Sequence, residues 1–458
     1  MYFMKKNLDL RNVNIGKLLL EFSLPAIIGM SVNALYNIIS RIFVGQGVNF
    51  LAIAAVTVAL PIMILLFAVA MLIGIGATAM ISIRLGEQKK EEANKIAGNA
   101  TLLLILLPLT ISGIYFLFSD PILRLFGATS QEVLPYARDY IHIIMLGAVP
   151  GAISFGLNNF IRAEGNPRFA MFTQIIGGVV SIVLNYVFIF QLGMGIKGSA
   201  LGTIIGQIVS AIWVISYFLR GTSQIKIKLI NMKPQISIVM KIMAIGFAPF
   251  AMQIANSIQQ TILNKIVLSY GGDLALSAVG IIMSVGMILI MPIVGISQGA
   301  QPIIGYNYGA RSYDRVKEAL KKGILASTVM AVVGFVSIRF FATPLVELFS
   351  KGDTALTQLT VHALVIFFTC LPIVGFQILG SSYFQAVGKP IQSTILSLSR
   401  QVLIFIPLLL ILPNFWGIEG VWRTAPIADA LAVLLTSTLL FYEMKNIPQK
   451  PVLAMESN

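Results

Sequence analysis

The sequence predicts an all-α polytopic membrane protein, with twelve transmembrane helices in two parallel six-helix lobes. Three observations carry this reading. The first is composition: 57% of the 458 residues are apolar and only 11% are charged, against about a quarter charged in a soluble domain. The second is a series of long apolar runs separated by short polar stretches. At about 20 apolar residues per crossing of a bilayer core, the composition can furnish about a dozen crossings. The third is a set of landmarks that recur at a nearly constant separation of about 223 residues.

The predicted spans lie near 16–44, 53–83, 96–118, 134–161, 169–191 and 198–219 in the first half, and near 238–269, 276–306, 323–342, 356–386, 392–412 and 419–443 in the second. Helices are expected because the apolar runs are continuous, whereas barrel strands alternate apolar and polar residues. Pro25, Pro61, Pro150, Pro249, Pro292 and Pro372 fall inside spans. Membrane helices tolerate them where neighbours re-satisfy the freed backbone groups. A cleavable signal peptide is not expected, because the first apolar run is too long for an h-region.

Disorder is excluded by the hydrophobicity, and a disulfide scaffold by the single Cys370. The formal net charge of +14 would suggest nucleic acid in a soluble protein, but most of the 32 Lys and Arg fall in alternate loops. They include Lys5, Lys6, Arg84, Lys89, Lys90, Arg220, Lys226, Lys228, Arg311, Arg315, Lys317 and Lys450. The positive-inside rule then places both termini in the cytoplasm, in a multi-pass inner-membrane protein. The charge is accounted for by the bilayer, with no nucleic-acid partner.

The repeat pairs Pro25 with Pro249, Gly86 with Gly309, Pro150 with Pro372, Gly165 with Gly388, Pro167 with Pro390 and Gly198 with Gly420. Six spans per half return the chain to the same side, so the halves insert in parallel about an axis along the membrane normal. The expected organisation is an N-terminal lobe over 1–222, a cytoplasmic linker over 223–236, a C-terminal lobe over 237–446 and a cytoplasmic tail over 447–458.

Ionisable groups inside a bilayer are costly and mark functional candidates. Glu164 stands at a span end, where solvent or Arg162 and Arg168 can satisfy it, and Asp139 and His142 share one face as an expected interfacial pair. Arg400 and Asp429 lie deeper. Counted from the same membrane face at 1.5 Å per residue, they sit roughly 12 and 21 Å in, within reach of each other across antiparallel spans. An intramembrane ion pair is expected, as a structural clamp or as part of a proton pathway. No nucleotide-binding loop or metal helix is present, so the chain is not expected to be an enzyme or to need a cofactor. Energy for transport would come from an ion gradient.

The strings "FSLPAIIGMSVNALYN", "RIFVGQG", "GIGATAMISIRLGE" and "RAEGNPR", followed by "GISQGAQPIIGYNYGA" and "SYFQAVGKP", resemble those of multidrug and toxic compound extrusion (MATE) transporters over nearly the whole length. The resemblance implies a V-shaped twelve-helix fold with rocker-switch alternating access. It also implies export of amphiphilic, often cationic, drugs in exchange for Na⁺ or H⁺. The family's N-lobe cation site maps here onto Ser40, Ser181, Asn185 and Thr203. An acid is replaced by Ser40, so this site is neutral and cannot release a proton in the physiological range. Asn33, Tyr36, Asn37, Asn256, Gln260, Gln298 and Gln301 are candidates for a substrate cleft. The expected state is a monomer in the lipid bilayer. Two alternatives use the same scaffold: an exporter or flippase of a lipid-linked or anionic metabolite, which would need a cationic cleft, and a non-transporting sensor that has lost ion coupling.

Overall fold

The computed structural model describes residues 8–48, 50–126, 133–221, 223–350 and 353–447. Lys5, Lys6, Lys450 and the tail beyond Ile447 lie outside them. Among the described residues every regular element is a helix. The first half comprises α1 (Ile15–Gly47), α2 (Phe50–Gly86), α3 (Lys90–Leu117), the short α4 (Ser119–Leu125), α5 (Val133–Leu146), α6 (Ala148–Ala163), α7 (Pro167–Tyr186) and α8 (Gly195–Leu219). The π-helical turn Val187–Gln191 extends α7. A 3₁₀ turn at Leu229–Met232 precedes α9 (Ile236–Gly309), α10 (Tyr313–Ser350), α11 (Thr354–Phe367), α12 (Leu371–Ala386), α13 (Pro390–Leu398), α14 (Ile406–Ile411), α15 (Pro413–Trp416) and α16 (Ile418–Asn446). A second π-helical turn, Ser399–Phe405, joins α13 to α14.

Among the described residues, nine helices are long and apolar enough to cross a membrane, and two bent pairs, α5 with α6 and α11 with α12, raise the number to eleven. The 74-residue α9 is interrupted at Gly272, whose φ of 65° and ψ of −165° are not helical. Divided there, it supplies two spans, which makes twelve. The bends are 49° and 51° and have one cause. Pro150 and Pro372 each follow the bend by a few residues, lack an N–H, and crowd the carbonyl four positions back, at Leu146 and Phe368.

The repeat is written in the backbone as well as in the letters. Gly165 and Gly388 both have positive φ, 92° and 73°, and both close a helix: Gly165 N–H bonds Arg162 O and Asn166 N–H bonds Ile161 O, as Gly388 N–H bonds Gln385 O and Lys389 N–H bonds Phe384 O. This is the six-to-one, five-to-two pattern of a Schellman end. Pro167 and Pro390 then open α7 and α13 in their first turns, where a missing N–H is harmless. The only non-glycine residues with positive φ among those described, Gln88 at 61° and Arg311 at 56°, also correspond in the two halves. Each ends a span where glycine would be unstrained. Gln88→Gly and Arg311→Gly are therefore each expected to stabilise the protein by about 0.5 kcal/mol, the relief of left-handed strain less glycine's added entropy cost. Thermal unfolding in detergent measures this.

The chain divides into two compact units, one formed by Ile28–Phe250 with the described residues before Val13, the other by Val13–Ile27 with the described residues from Ala251 onward. The division therefore runs through α1 and α9 rather than through the polar stretch 223–236. In the first unit, α2 and the start of α9 cross at glycines. A Cβ on Gly76 would strike Ile242 O, and one on Gly246 would strike Leu72 O, so backbone lies on backbone as in small-residue membrane crossings.

The same unit holds down the polar connection. Asn94 Oδ1 accepts from Lys226 N at 2.8 Å, Asn99 Oδ1 from Gln235 N at 2.7 Å, and Asn99 Nδ2 donates to Asn231 O at 3.1 Å. Glu164, expected at a solvated span end, is 2% exposed. Its carboxyl accepts from Tyr217 Oη at 3.1 Å, Gln224 N at 3.1 Å, Ile225 N at 3.0 Å and Ser223 Oγ. The connection wraps this acid because its backbone N–H groups need acceptors once they leave water. In the second unit a buried apolar cluster contains Trp422, Phe405, Phe368, Leu371 and Leu409.

Candidate functional site

In the first unit the candidate residues converge from three helices. Ser181 and Asn185 lie one turn apart on α7 and are 4% and 0% exposed. They face α8 at its glycines: a Cβ on Gly202 would come within 2.6 Å of Asn185 Oδ1, and one on Gly206 would strike Ser181 Oγ. Asn185 Nδ2 donates to Ser40 Oγ of α1 at 3.3 Å. Ser40 Oγ lies 3.4 Å from Ser199 Oγ, and Thr203 Oγ1 turns back to Ser199 O at 3.0 Å. Asn185 Oδ1 is buried with no hydrogen-bond partner. A buried carbonyl oxygen left unpaired is exceptional. The π-helical turn begins two residues later, and such turns often accompany functional positions.

Of these groups Ser40, Ser199 and Thr203 line a cavity of about 40 Å³, together with Tyr36, Asn37, Arg41, Val44, Val56, Leu60, Met63 and Tyr140, whereas Ser181 and Asn185 do not line it. It has room for a few waters or one small polar group. Tyr36, Asn37, Ser40, Arg41 and Val44 belong to one face of α1, spaced one, three or four apart. Asn33 is exposed one turn earlier, and its backbone and side-chain oxygens accept from Asn37 Nδ2 at 2.8 and 3.2 Å. Arg41, Tyr140 and Ser199 were not among the sequence candidates. Ser199 was legible, standing four residues before Thr203 on the same helix; Arg41 falls within the first predicted span, where the letters do not tell what it faces.

In the second unit Arg400, on the π-helical turn, donates from Nε to Asp429 Oδ1 at 2.5 Å. The two side chains are 21% and 7% exposed, and Asp429 is near the middle of the 29-residue α16. The buried carboxylates among the described residues are Glu164, Asp429 and Glu443. Glu443 belongs to the last turn of α16 and is held by Lys389 Nζ at 2.6 Å, so Asp429 alone of the three lies deep within a span.

The remaining polar candidates of this unit do not form one cluster. Gln301 Nε2 donates to Gln385 Oε1 at 3.2 Å, linking α9 to α12, while Gln260 Nε2 donates to Asn264 Oδ1 at 2.9 Å within α9. Gln298 has a polar partner, and Asn256 is half-buried. Asp139 and His142 do not pair with each other. Asp139 meets Lys197 Nζ at 3.2 Å, drawn by its charge, and His142 Nδ1 is 3.2 Å from Tyr115 Oη and 2.8 Å from Arg138 O. No group of three or more His, Cys, Asp or Glu able to hold a metal occurs among the described residues.

The family model MatE matches residues 25–187 and 248–411, one match in each half of the repeat. The chain is 28% identical over 433 residues to the multidrug export protein MepA of Staphylococcus haemolyticus strain JCSC1435, covering 94% of each. MepA of Staphylococcus aureus strain MRSA252 is also 28% identical, over 425 residues and 93% of each chain. Among solved structures, the outward-facing conformation of a multidrug-resistance MATE family transporter of the MOP superfamily superposes with a TM-score of 0.90 at 25% identity, covering 96% of this chain and 98% of that one.

Proposed function

The chain belongs to the MATE family of membrane transporters, and from that premise we propose that it exports amphiphilic drugs, organic cations among them, by alternating access in exchange for protons. Small-molecule export is what the name of its MepA relatives describes. The observation that carries the choice of coupling ion is the Arg400–Asp429 pair, a carboxylate buried deep in a span and bonded to a guanidinium on a π-helical turn. Protonation of Asp429 would cancel its charge and release Arg400, and this changes the electrostatics of the turn without a second ligand. The cluster of Ser40, Ser181, Asn185 and Thr203 offers no group that titrates near neutral pH. A ligand moves an equilibrium only by binding its states unequally. The proton would accordingly favour the state in which Asp429 and Arg400 are parted, and the drug the state in which they are joined.

One observation favours a second coupling ion. The unpaired Asn185 Oδ1, with the hydroxyls of Ser40 and Ser199 nearby, has the neutral oxygen chemistry that a Na⁺ ion accepts. Purified protein in proteoliposomes loaded with ethidium separates the two. Under an imposed pH gradient the wild type should drive ethidium movement and Asp429→Asn should lose at least about 90% of it. If Asp429→Asn keeps its full proton-driven rate, coupling through this pair is wrong. Movement driven by Na⁺ alone and abolished in Asn185→Leu would transfer the role to the first unit. With both termini facing the cytoplasm, the basic loops face inward and export runs outward.

A further inference from the structure

The wall of the cavity in the first unit carries one fixed positive charge, on Arg41. Among the described residues, Arg41 is the only ionisable side chain along this wall other than the two tyrosines, and no carboxylate lines it. None of the ion pairs among the described residues includes Arg41. It stands about 9 Å in from the end of α1, six residues before Gly47, on the same face as Ser40. Donors surround it. Tyr36 and Tyr140, each with a phenolic hydroxyl, also line the wall. Ser40 Oγ accepts from Asn185, so its own proton must point elsewhere, and at 3.4 Å Ser199 Oγ is too distant for a good O–H···O bond. At least one hydroxyl proton is therefore available to a ligand atom in the cavity. An unpaired guanidinium with hydroxyl donors around it is the donor set that a carboxylate satisfies, by charge-assisted and often bidentate hydrogen bonds.

The other part of the wall is apolar. Val44, Val56, Leu60 and Met63 offer a hydrophobic surface next to the guanidinium, which suits the carbon skeleton carrying the acid and gives nothing to a hydrated inorganic ion. The cavity, at about 40 Å³, fits the acidic group and leaves the bulk of an amphiphile outside it. We infer that this cavity binds the carboxylate of an organic substrate, so that the preferred cargo is an amphiphile bearing an acid, a zwitterion or an organic anion, rather than a simple cation. The inference rests on the proposed export function for its physiological meaning, and it narrows the substrate class of that same transport cycle.

The test is equilibrium binding to the full-length protein in detergent, with no gradient imposed, so that failed coupling and failed recognition give different results. The probes are 1-naphthoate and 1-naphthylmethylammonium, alike in shape and opposite in charge, with chloride and inorganic phosphate as the inorganic arms. The wild type should bind naphthoate more tightly than the ammonium probe. Arg41→Gln should weaken naphthoate about tenfold or more and leave the ammonium probe equal or tighter, while Arg41→Lys should retain part of the naphthoate affinity. Tyr140→Phe, which removes one hydroxyl and keeps the ring, should weaken naphthoate by a smaller factor. Naphthoate binding that is unchanged in Arg41→Gln overturns the site. Chloride or phosphate binding as tightly as naphthoate, and competing with it, overturns the organic class. Ethidium movement in proteoliposomes, measured on the same preparations, reports on the transport reading separately: naphthoate bound through Arg41 by a protein that moves nothing would leave the recognition standing and the transport cycle refuted.

Discussion

An Arg400→Leu chain is expected to be less stable than the wild type by about 3–5 kcal/mol, because it strands the Asp429 carboxylate inside a span with no counter-charge. The geometry gives that carboxylate little alternative. Asp429 is 6% exposed and its bond to Arg400 is 2.5 Å long, and its own helix, α16, contributes Trp422, Ala425 and Ala428 to a buried apolar cluster. The double variant Arg400→Leu with Asp429→Leu removes both charges and is expected to recover most of the loss, since a buried pair is worth little more than a well-packed apolar substitute. Unfolding in detergent, followed by tryptophan fluorescence, reads both. A double variant as unstable as the single one would show that Arg400 acts by packing rather than by charge. The same double variant separates stability from coupling, because it should fold and still fail to respond to a proton gradient.

Glu164→Ala is the second large effect, expected at about 2–4 kcal/mol. It leaves two backbone N–H groups, at Gln224 and Ile225, and the hydroxyls of Tyr217 and Ser223 without their acceptor. An unsatisfied buried donor costs about 1–3 kcal/mol, and some of these groups will find water. The visible consequence should be protease cleavage near 223–226 in the variant and protection there in the wild type. Acidity adds a second readout. Burial pushes the Glu164 carboxyl up from its ordinary value of 4.5, against the four donors, which pull it down. The folded chain then binds a proton here more readily than the unfolded chain. That share of stability is complete below pH 4.5 and is lost as pH rises through the elevated value. Glu164→Gln, which cannot titrate, should flatten the slope over that window.

Most of the architecture could be read from the letters, because a bilayer imposes a length and a composition on each span and duplication prints each landmark twice. The pairs Gly165–Gly388 and Pro167–Pro390 mark the repeat in the sequence; in the fold they are the end of one helix and the first turn of the next. What escaped the sequence depends on packing between distant segments. Gly272 breaks α9 with a φ of 65°, yet it is one of 39 glycines. The π-helical turns at 187–191 and 399–405 leave no compositional mark. The cavity shows the same limit. Ser40, Asn185 and Thr203 were legible as positions, whereas the partnership of Asn185 with Ser40 and the shared wall of Arg41 and Tyr140 arise only when α1, α5, α7 and α8 pack together. Arg41 was not singled out, because a charge within a span gives no indication in the letters of which face it occupies, or with whom. Glu164 was expected to be solvated because a span end usually meets water; here the polar connection covers it.

The units are not consecutive in the chain. Val13–Ile27 belongs with the unit that otherwise starts at Ala251, and the unit before it runs on to Phe250, beyond the polar connection. During synthesis this fixes an order of completion. The fifteen residues Val13–Ile27 leave the ribosome early, while the rest of their unit begins only at Ala251, after more than half of the protein has been made. The earlier unit stays unfinished until the segment after the connection has been threaded. A chain cut at the connection would separate each unit from a piece of itself, so neither half should mature alone, and the two halves co-expressed should complement only if they insert together.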